Sequence, residues 1–242
     1  MAVNVNSTQT GSEKYLRRDA ILGAGKSLDL VSMCCWWRTS VTPLWSWAAI
    51  LDISNGSDND FLIELKNATS GMEFWHSPVT GGTLLYDSAT GMSANTWYFS
   101  GFTRRQSDNS SKAYIGTEGA TPTEYSMTGS GTLSASPSPP DQNLMIGWDP
   151  WNEDFAGDIA HVRVWEAFLS GAEMQAEAKS AQAVRRANLA GEYRFTSGNL
   201  TLDSSGNGRT LTAYNSPTWV ADPIIRVAQP PFRRSPNRLW TR

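Results

Sequence analysis

The chain has 242 residues, of which 40% are hydrophobic and 18% charged, enough apolar material for a sizeable core in one all-β domain with or without extensions. The net charge of −3 selects no class of partner by itself, and no apolar run approaches the length of a membrane span. The two cysteines, Cys34 and Cys35, are adjacent and point to opposite faces of a strand, which argues against a small disulfide-stapled fold and fits folding in a reducing cytoplasm.

Taken in order, residues 1–10 hold neither a basic region nor an apolar stretch of signal-peptide length. Tyr15 to Arg18 reads as the first strand. Residues 28–38 form a strong second strand, with Leu28, Leu30, Cys34 and Trp36 on one face and Val31, Met33, Cys35 and Trp37 on the other. Both faces are apolar, as for a strand covered on two sides. Residues 45–53 and 60–66 make a hairpin across Asn55-Gly56, a good turn pair. Shorter strands at 72–75 and 84–87 flank Gly81-Gly82, and 96–105, 113–116 and 143–147 are further strands. Residues 121–141, rich in Ser, Thr, Gly and Pro, read as a long loop.

The most informative stretch follows. Val162 and Val164 alternate with Arg163, giving a strand with one apolar face. Ser170 then opens a helix predicted to run to Ala187, with Glu173 completing a capping box and Leu169 stapling onto Met174. Residues 189–195 are a strand, and Asp203-Ser-Ser-Gly-Asn-Gly208 is a tight turn in which Gly206 or Gly208 should take positive φ and Asp203 should bind backbone amides.

The spacing F-x-G-x-I-x-x-V-R-V-W-x-x-x-L-S-x-x-E from Phe155 to Glu173 resembles a signature of laminin-G-like, concanavalin A-like jelly rolls. Residues 27–38 resemble that family's early Trp-bearing strand, with Trp36 in the place of its buried Trp. Asn95-Thr-Trp-Tyr98 and Ala113-Tyr-Ile-Gly116 resemble two of its middle strands, and residues 202–211 its late turn. The resemblance implies an all-β fold: a two-sheet antiparallel jelly-roll sandwich with one short helix near 170–187, closed by the N-terminal strand and the late turn together. In that pattern Ile159 and Val162 both face inward although an odd step separates them, so a β-bulge is expected at Ala160-His161.

Chemistry is sparse. A glycosidase needs two carboxylates across the scissile bond, and no acidic trio stands at alternate strand positions. Glu153 and Asp154 are adjacent, and Glu64 lies four residues from Asp60. Two histidines, His76 and His161, offer little for nucleophilic catalysis, and no Cys/His cluster has zinc spacing. No catalytic residue is assigned. Calcium is the one metal to weigh, as it takes six to eight oxygens. Asp149, Asn152, Glu153 and Asp154 form a dense acidic loop, 58–60 a smaller one, and the plainer reading of both is a solvated turn. For glycan binding, Trp148, Trp151 and Asn152 combine aromatic faces with an amide in that same loop. Trp45, Trp47 and Trp75 are further candidates, the alternative for each being a place in the core. Trp151, after Pro150, is the one expected to be exposed.

From residue 223 the composition changes. Five arginines and no acid fall within 224–242, leaving −8 for the rest. The sequence thus divides into a sandwich over 1–222 and a Pro/Arg-rich extension over 223–242, in which Arg226, Phe232, Arg233, Arg234 and Trp240 are expected to dock on a neighbouring subunit. The leading expectation is a non-enzymatic exterior or decoration protein of a viral particle, a phage, made in the cytoplasm and displayed on the virion surface with its sandwich outward, holding host glycans. The alternatives are an exported glycan-binding lectin module and, behind it, a glycoside hydrolase.

Overall fold

The computed structural model describes residues 1–5, 13–24, 26, 28–40, 47–54, 61–66, 71–76, 79–80, 84–87, 91–127, 132–133, 142–221 and 223. The hairpin turn at 55–58, Trp45 and the docking residues Arg226, Phe232, Arg233, Arg234 and Trp240 lie outside them.

The strands in order are β1 (Ala2–Asn4), β2 (Tyr15–Arg18), β3 (Leu30–Thr39), β4 (Ala48–Ser54), β5 (Phe61–Leu65), β6 (Met72–His76), β7 (Val79–Thr80), β8 (Leu84–Asp87), β9 (Tyr98–Arg105), β10 (Ser110–Thr117), β11 (Thr123–Ser126), β12 (Thr132–Leu133), β13 (Asn143–Ile146), β14 (Gly157–Trp165), β15 (Leu189–Tyr193), β16 (Thr212–Tyr214) and β17 (Thr218–Val220). The helix α1 spans Gly171–Ala178. Two antiparallel sheets form the expected sandwich. The first runs β11-β10-β9-β3-β14-β1-β17, with β15 also on β14; the second runs β16-β2-β13-β4-β5-β6-β8. β7 and β12 pair as a small separate ribbon.

Alternation decides what fills the space between the sheets. Val31, Met33, Cys35 and Trp37 of β3 meet Ile50, Leu51 and Ile53 of β4, Phe61 and Ile63 of β5 and Phe74 of β6 in one buried cluster. Phe102 of the first sheet stacks on Phe61 of the second at 4.0 Å between centroids. Burying so much aromatic and branched area is the main term holding the sheets together, at roughly 25 cal/mol per Å² removed from water.

The other face of β3 carries Cys34 and Trp36, which join Phe99, Trp165, Leu169 and Met174 in a second cluster beneath α1. Two corrections follow. Trp36 is buried, but on the helix side; Trp37 occupies the sandwich interior. Leu30 does not share the burial of its face and is 38% exposed. Gly101 lets α1 approach β9, since a Cβ there would stand 2.6 Å from Met174 Sδ.

The predicted capping box forms: Ser170 and Glu173 exchange hydrogen bonds, the Glu173 Oε2 accepting from Ser170 N at 2.9 Å. The helix does not reach Ala187. It ends at Ala178 because the buried Glu177 carboxylate draws the chain back, accepting from Val184 N at 3.0 Å and Arg185 N at 2.7 Å. Arg163 of β14 completes this knot, donating to Glu177 Oε2 at 2.9 Å and to the Ser180 carbonyl.

Three further expectations change. Tyr15–Arg18 is the second strand, since Ala2–Asn4 already pairs with β14. Residues 121–141 are not all loop: Thr123–Ser126 extends the first sheet by pairing with β10. The strand read from 189 to 195 stops at Tyr193, where the chain is drawn into the bridge to Asp203. The late turn behaves as read, with Gly206 at φ 95° and Gly208 at φ 69°. Segment 212–220 closes the sandwich by placing β16 on β2 and β17 on β1. Among the described residues no helix is long and apolar enough to cross a membrane.

Candidate functional site: the outer face of the second sheet

The helix covers the outer face of the first sheet. The outer face of the second sheet receives the side chains that alternate with its core residues. In β2 Leu16 faces the core, so Tyr15 and Arg17 face out; in β6 Met72 and Phe74 face in, so Glu73 and Trp75 face out. By the same rule β5 presents Glu64 and β16 presents Tyr214. Trp47, Trp75, Tyr15, Tyr214 and Trp148 are all partly exposed.

Three of these aromatics form a row across neighbouring strands. Trp148 stacks on Tyr15 with centroids 4.7 Å apart, and Tyr15 stacks on Tyr214 at 4.3 Å with planes only 6° apart. Near Glu73, Lys66 lies 5.6 Å from the Trp47 ring centroid and 3.8 Å from a Glu73 carboxylate oxygen.

The loop 147–156 connects β13 to β14 over this face. Gly147 enters it at φ 84° and Asn152 turns it at φ 62°. Asp149 is fully buried, and its Oδ1 accepts from the amides of Trp151 at 2.9 Å and Glu153 at 3.0 Å. The Glu153 carbonyl accepts from Ala49 N at 2.9 Å, pinning the loop to β4. The tip thereby turns Trp151 outward, 57% exposed, as the sequence suggested.

The sequence-predicted residues separate by role. Trp148 belongs to the aromatic row, Trp151 and Asn152 stand at the exposed tip, and Asp154 is half-buried on the way back to β14. Asp149 and Glu153 come together, yet among the described residues no group of three or more His, Cys, Asp or Glu is arranged to hold a metal. Asp149 serves the loop's own amides.

The sequence reading missed where Glu153 leads. Its charge acts on Glu64, which stands directly opposite Glu73 in the β5–β6 register. Burial raises Glu64 first, and the charges of Glu153, Glu73 and Asp149 raise it further. Burial and the nearby Asp149 likewise raise Glu153. The signal available in the sequence was the hairpin itself: with Leu65 opposite Met72, the odd-even pattern brings the two glutamates together. Tyr15 and Tyr214 were missed because each sits in a short strand with a single core neighbour to define its face.

Two sheets of this topology, one covered by a helix and the other bearing partly exposed aromatic side chains on its outer face, define a lectin-like jelly roll. The chain belongs to the concanavalin A-like lectin/glucanases superfamily, whose family model matches residues 20–175. No curated protein matches the sequence. Among solved structures, the chain is similar to a native heptameric SAP-like pentraxin from Limulus polyphemus, with a TM-score of 0.58 and 12% identity over 90% of this chain and 93% of that one. It is also similar to a candidate carbohydrate-binding protein from Bacteroides ovatus, with a TM-score of 0.58 and 16% identity over 91% of this chain and 61% of that one. At these identities both likenesses concern the fold.

Proposed function

We propose that the protein is a non-enzymatic glycan-binding module that takes its ligand on the outer face of the second sheet and the adjoining loop 147–156. The observation that carries this is the row Tyr214, Tyr15 and Trp148 on the same face as Trp47 and Trp75, beside the exposed Trp151. Sugar rings stack on ring faces left free, here that of the exposed Trp151 and those at the two ends of the row, since Tyr15 is stacked on from both sides, and neighbouring carboxylates and amides accept and donate to their hydroxyls. The fold family is compatible with this reading.

Hydrolysis is disfavoured by the same geometry. A retaining glycosidase holds its carboxyls about 5–5.5 Å apart and an inverting one further. Glu64 is only 5% exposed and so is not offered to a sugar from solvent as a catalytic carboxyl. The test is binding to a broad panel of immobilised oligosaccharides, followed by Trp151→Ala. The wild type should bind a subset of the panel, and Trp151→Ala should bind at least roughly tenfold more weakly with unchanged thermal stability. Absence of binding across the panel overturns the reading.

A second reading, favoured by the five arginines and absent acids of 224–242, attaches this module to a larger assembly, a phage particle being one. Arginine forks suit an acidic neighbour. Its test is truncation after residue 222: the particle should lose the protein while glycan binding persists, and undiminished occupancy removes the anchoring role.

A further inference from the structure

We propose, resting on the glycan-binding reading of the second sheet, that the ligand is a neutral, linear polysaccharide that runs off this sheet over its β16 edge, with Tyr214 and Trp219 as the far subsite. The segment from β16 to β17 joins the edges of the two sheets, β16 pairing with β2 and β17 with β1. Tyr15 covers one face of Tyr214, with centroids 4.3 Å apart and planes 6° apart. Because β16 is the last strand of its sheet, the other face of Tyr214 looks away from the row and over the edge. Trp219 stands opposite Val3, on the last strand of the first sheet. Val3 faces the core, so Trp219 shares its side of the sheet and projects toward the seam between the two sheets. There it is 54% exposed.

The chemistry of this segment selects the occupant. Residues 210–221 hold no charged side chain, in a chain that is 18% charged. Thr212, Asn215, Ser216 and Thr218 are exposed around the two aromatics and offer hydroxyls and an amide. A sugar is the complement, with C–H faces for the rings and hydroxyls that both donate and accept. A sulfated or uronic chain finds no cation on the segment, and Arg17, opposite Thr212, is already paired with Asp19 at 2.6 Å. A second protein chain fits less well. β16 and β17 have three residues each, and Pro217, which has no N–H, stands directly before β17. Short edges beside a proline resist pairing with another strand.

The segment is held in shape by its own backbone. Asn215 and Ser216 turn it at φ 52° and φ 56°, Asn215 Nδ2 donates to the Glu13 carbonyl at 2.9 Å, and Pro217 is buried. A turn fixed in this way sets the spacing of Tyr214 and Trp219 and lowers the ordering cost of binding. Among the described residues, Trp151 and Trp219 are the tryptophans with more than half of their surface in water. Trp151 follows Trp148 at one end of the aromatic row, and Trp219 follows Tyr214 at the other. One sugar unit reaches one of them. A chain of several units reaches both, which makes recognition depend on ligand length.

The experiment is calorimetry on the full chain with neutral linear oligomers of glucose, mannose, galactose and xylose, each as the disaccharide and the hexasaccharide. In at least one series the hexasaccharide should bind roughly tenfold tighter than the disaccharide. Trp219→Ala should remove that gain while leaving the affinity for the disaccharide and the thermal midpoint unchanged, and Trp219→Phe should keep most of it. The comparison of lengths on the wild type needs no variant to fold. Equal affinity for the two lengths in every series, or an undiminished gain in Trp219→Ala, overturns the extended site and leaves the glycan reading standing. Binding of other glycans of the panel but of none of these oligomers does the same. Self-association of the wild type that Trp219→Ala abolishes would assign the seam to a second copy and overturn the proposal too. Failure of every oligosaccharide overturns both readings.

Discussion

Glu64 on β5 stands directly opposite Glu73 on β6, the two only 5% and 7% exposed, and Glu153 of the loop after β13 adds its charge to theirs. Burial is the largest cause of both shifts, and Glu64 is pushed up to about 10 and Glu153 to about 7. The two titrate as a pair. In the unfolded chain a glutamate titrates near about 4.3. The folded protein therefore keeps protons that the unfolded chain has released. The stability this supplies is complete below the unfolded value and is lost as pH rises through the folded values, at up to about 1.4 kcal/mol per pH unit per proton. Chemical denaturation from about pH 5 to about pH 9 should show this fall. Glu64→Gln cannot ionise, so its profile should be flatter over that range. Parallel profiles for the two proteins would show that the pair does not hold the proton.

Asp203 provides the opposite sign. Burial raises its carboxyl, but hydrogen bonds from Ser205 and from the amides of Arg209, Ser205 and Glu192 outweigh burial and hold it below its usual range. The amides of Ser205 and Arg209 lie 2.8 and 2.9 Å from its oxygens. A lowered acid contributes stability that is present above its unfolded value and is lost as pH falls through the folded one. Asp203→Asn should cost about 1–3 kcal/mol at neutral pH and should abolish part of the acid sensitivity. Equal midpoints at neutral pH would mean that the amides of this turn find other acceptors.

The features legible in the sequence share one property: they are written in a single continuous stretch. The capping box of Ser170 and Glu173, the two positive-φ glycines of the late turn and the bulge after Ala160 each rest on spacing within a few residues. The helix end was not legible, because Glu177 ends it through Arg163, fourteen residues away on β14. β11 was hidden by its Ser/Thr-rich surroundings, its pairing with β10 overriding weak local propensity. The acidic pair required knowing the β5–β6 register and the path of loop 147–156 together. The aromatic row required that β2, β13 and β16 be neighbours, which no local pattern states.

Arg163 and Glu177 form an ion pair with side chains 1% and 0% exposed. Burial raises the Glu177 carboxyl, while Arg163 and the amides of Arg185 and Val184 pull it down. Removing one partner strands the other charge in the apolar layer under α1. Glu177→Ala should cost about 3–5 kcal/mol, and it should also release segment 179–189, whose amides at Val184 and Arg185 lose their acceptor. The double replacement Arg163→Met with Glu177→Met should recover part of the loss, since no lone charge remains. Urea denaturation of Glu177→Met, Arg163→Met and the double variant, beside Glu177→Ala, decides it. A double variant as unstable as the sum of the singles would show that the segment's amides, and not the buried charge, dominate.

The last prediction concerns His161, which holds φ 51° within β14. Ala160 pairs with Trp36 and Arg163 with Cys34, so three steps on β14 match two on β3. That extra residue lets Ile159 and Val162 both enter the main core while Ala160 faces the helix side. It also falls where β14 changes neighbours, from β1 at Ala160 to β15 at Val162. Asparagine adopts the left-handed region more readily than other non-glycine residues, and a β-branched side chain is a genuine outlier there. His161→Val should therefore be less stable than His161→Asn by about 1–3 kcal/mol. Deleting residue 161 removes the extra residue. It leaves Ile159 and Val162 two apart, so regular pairing to β3 keeps both in the core and the sheet should still form. Thermal unfolding of the three variants, with circular dichroism to confirm the sheet, makes the comparison. A deletion variant without the sheet would show that the bulge is needed for the change of neighbours from β1 to β15 and not only for bringing Ile159 and Val162 to one face.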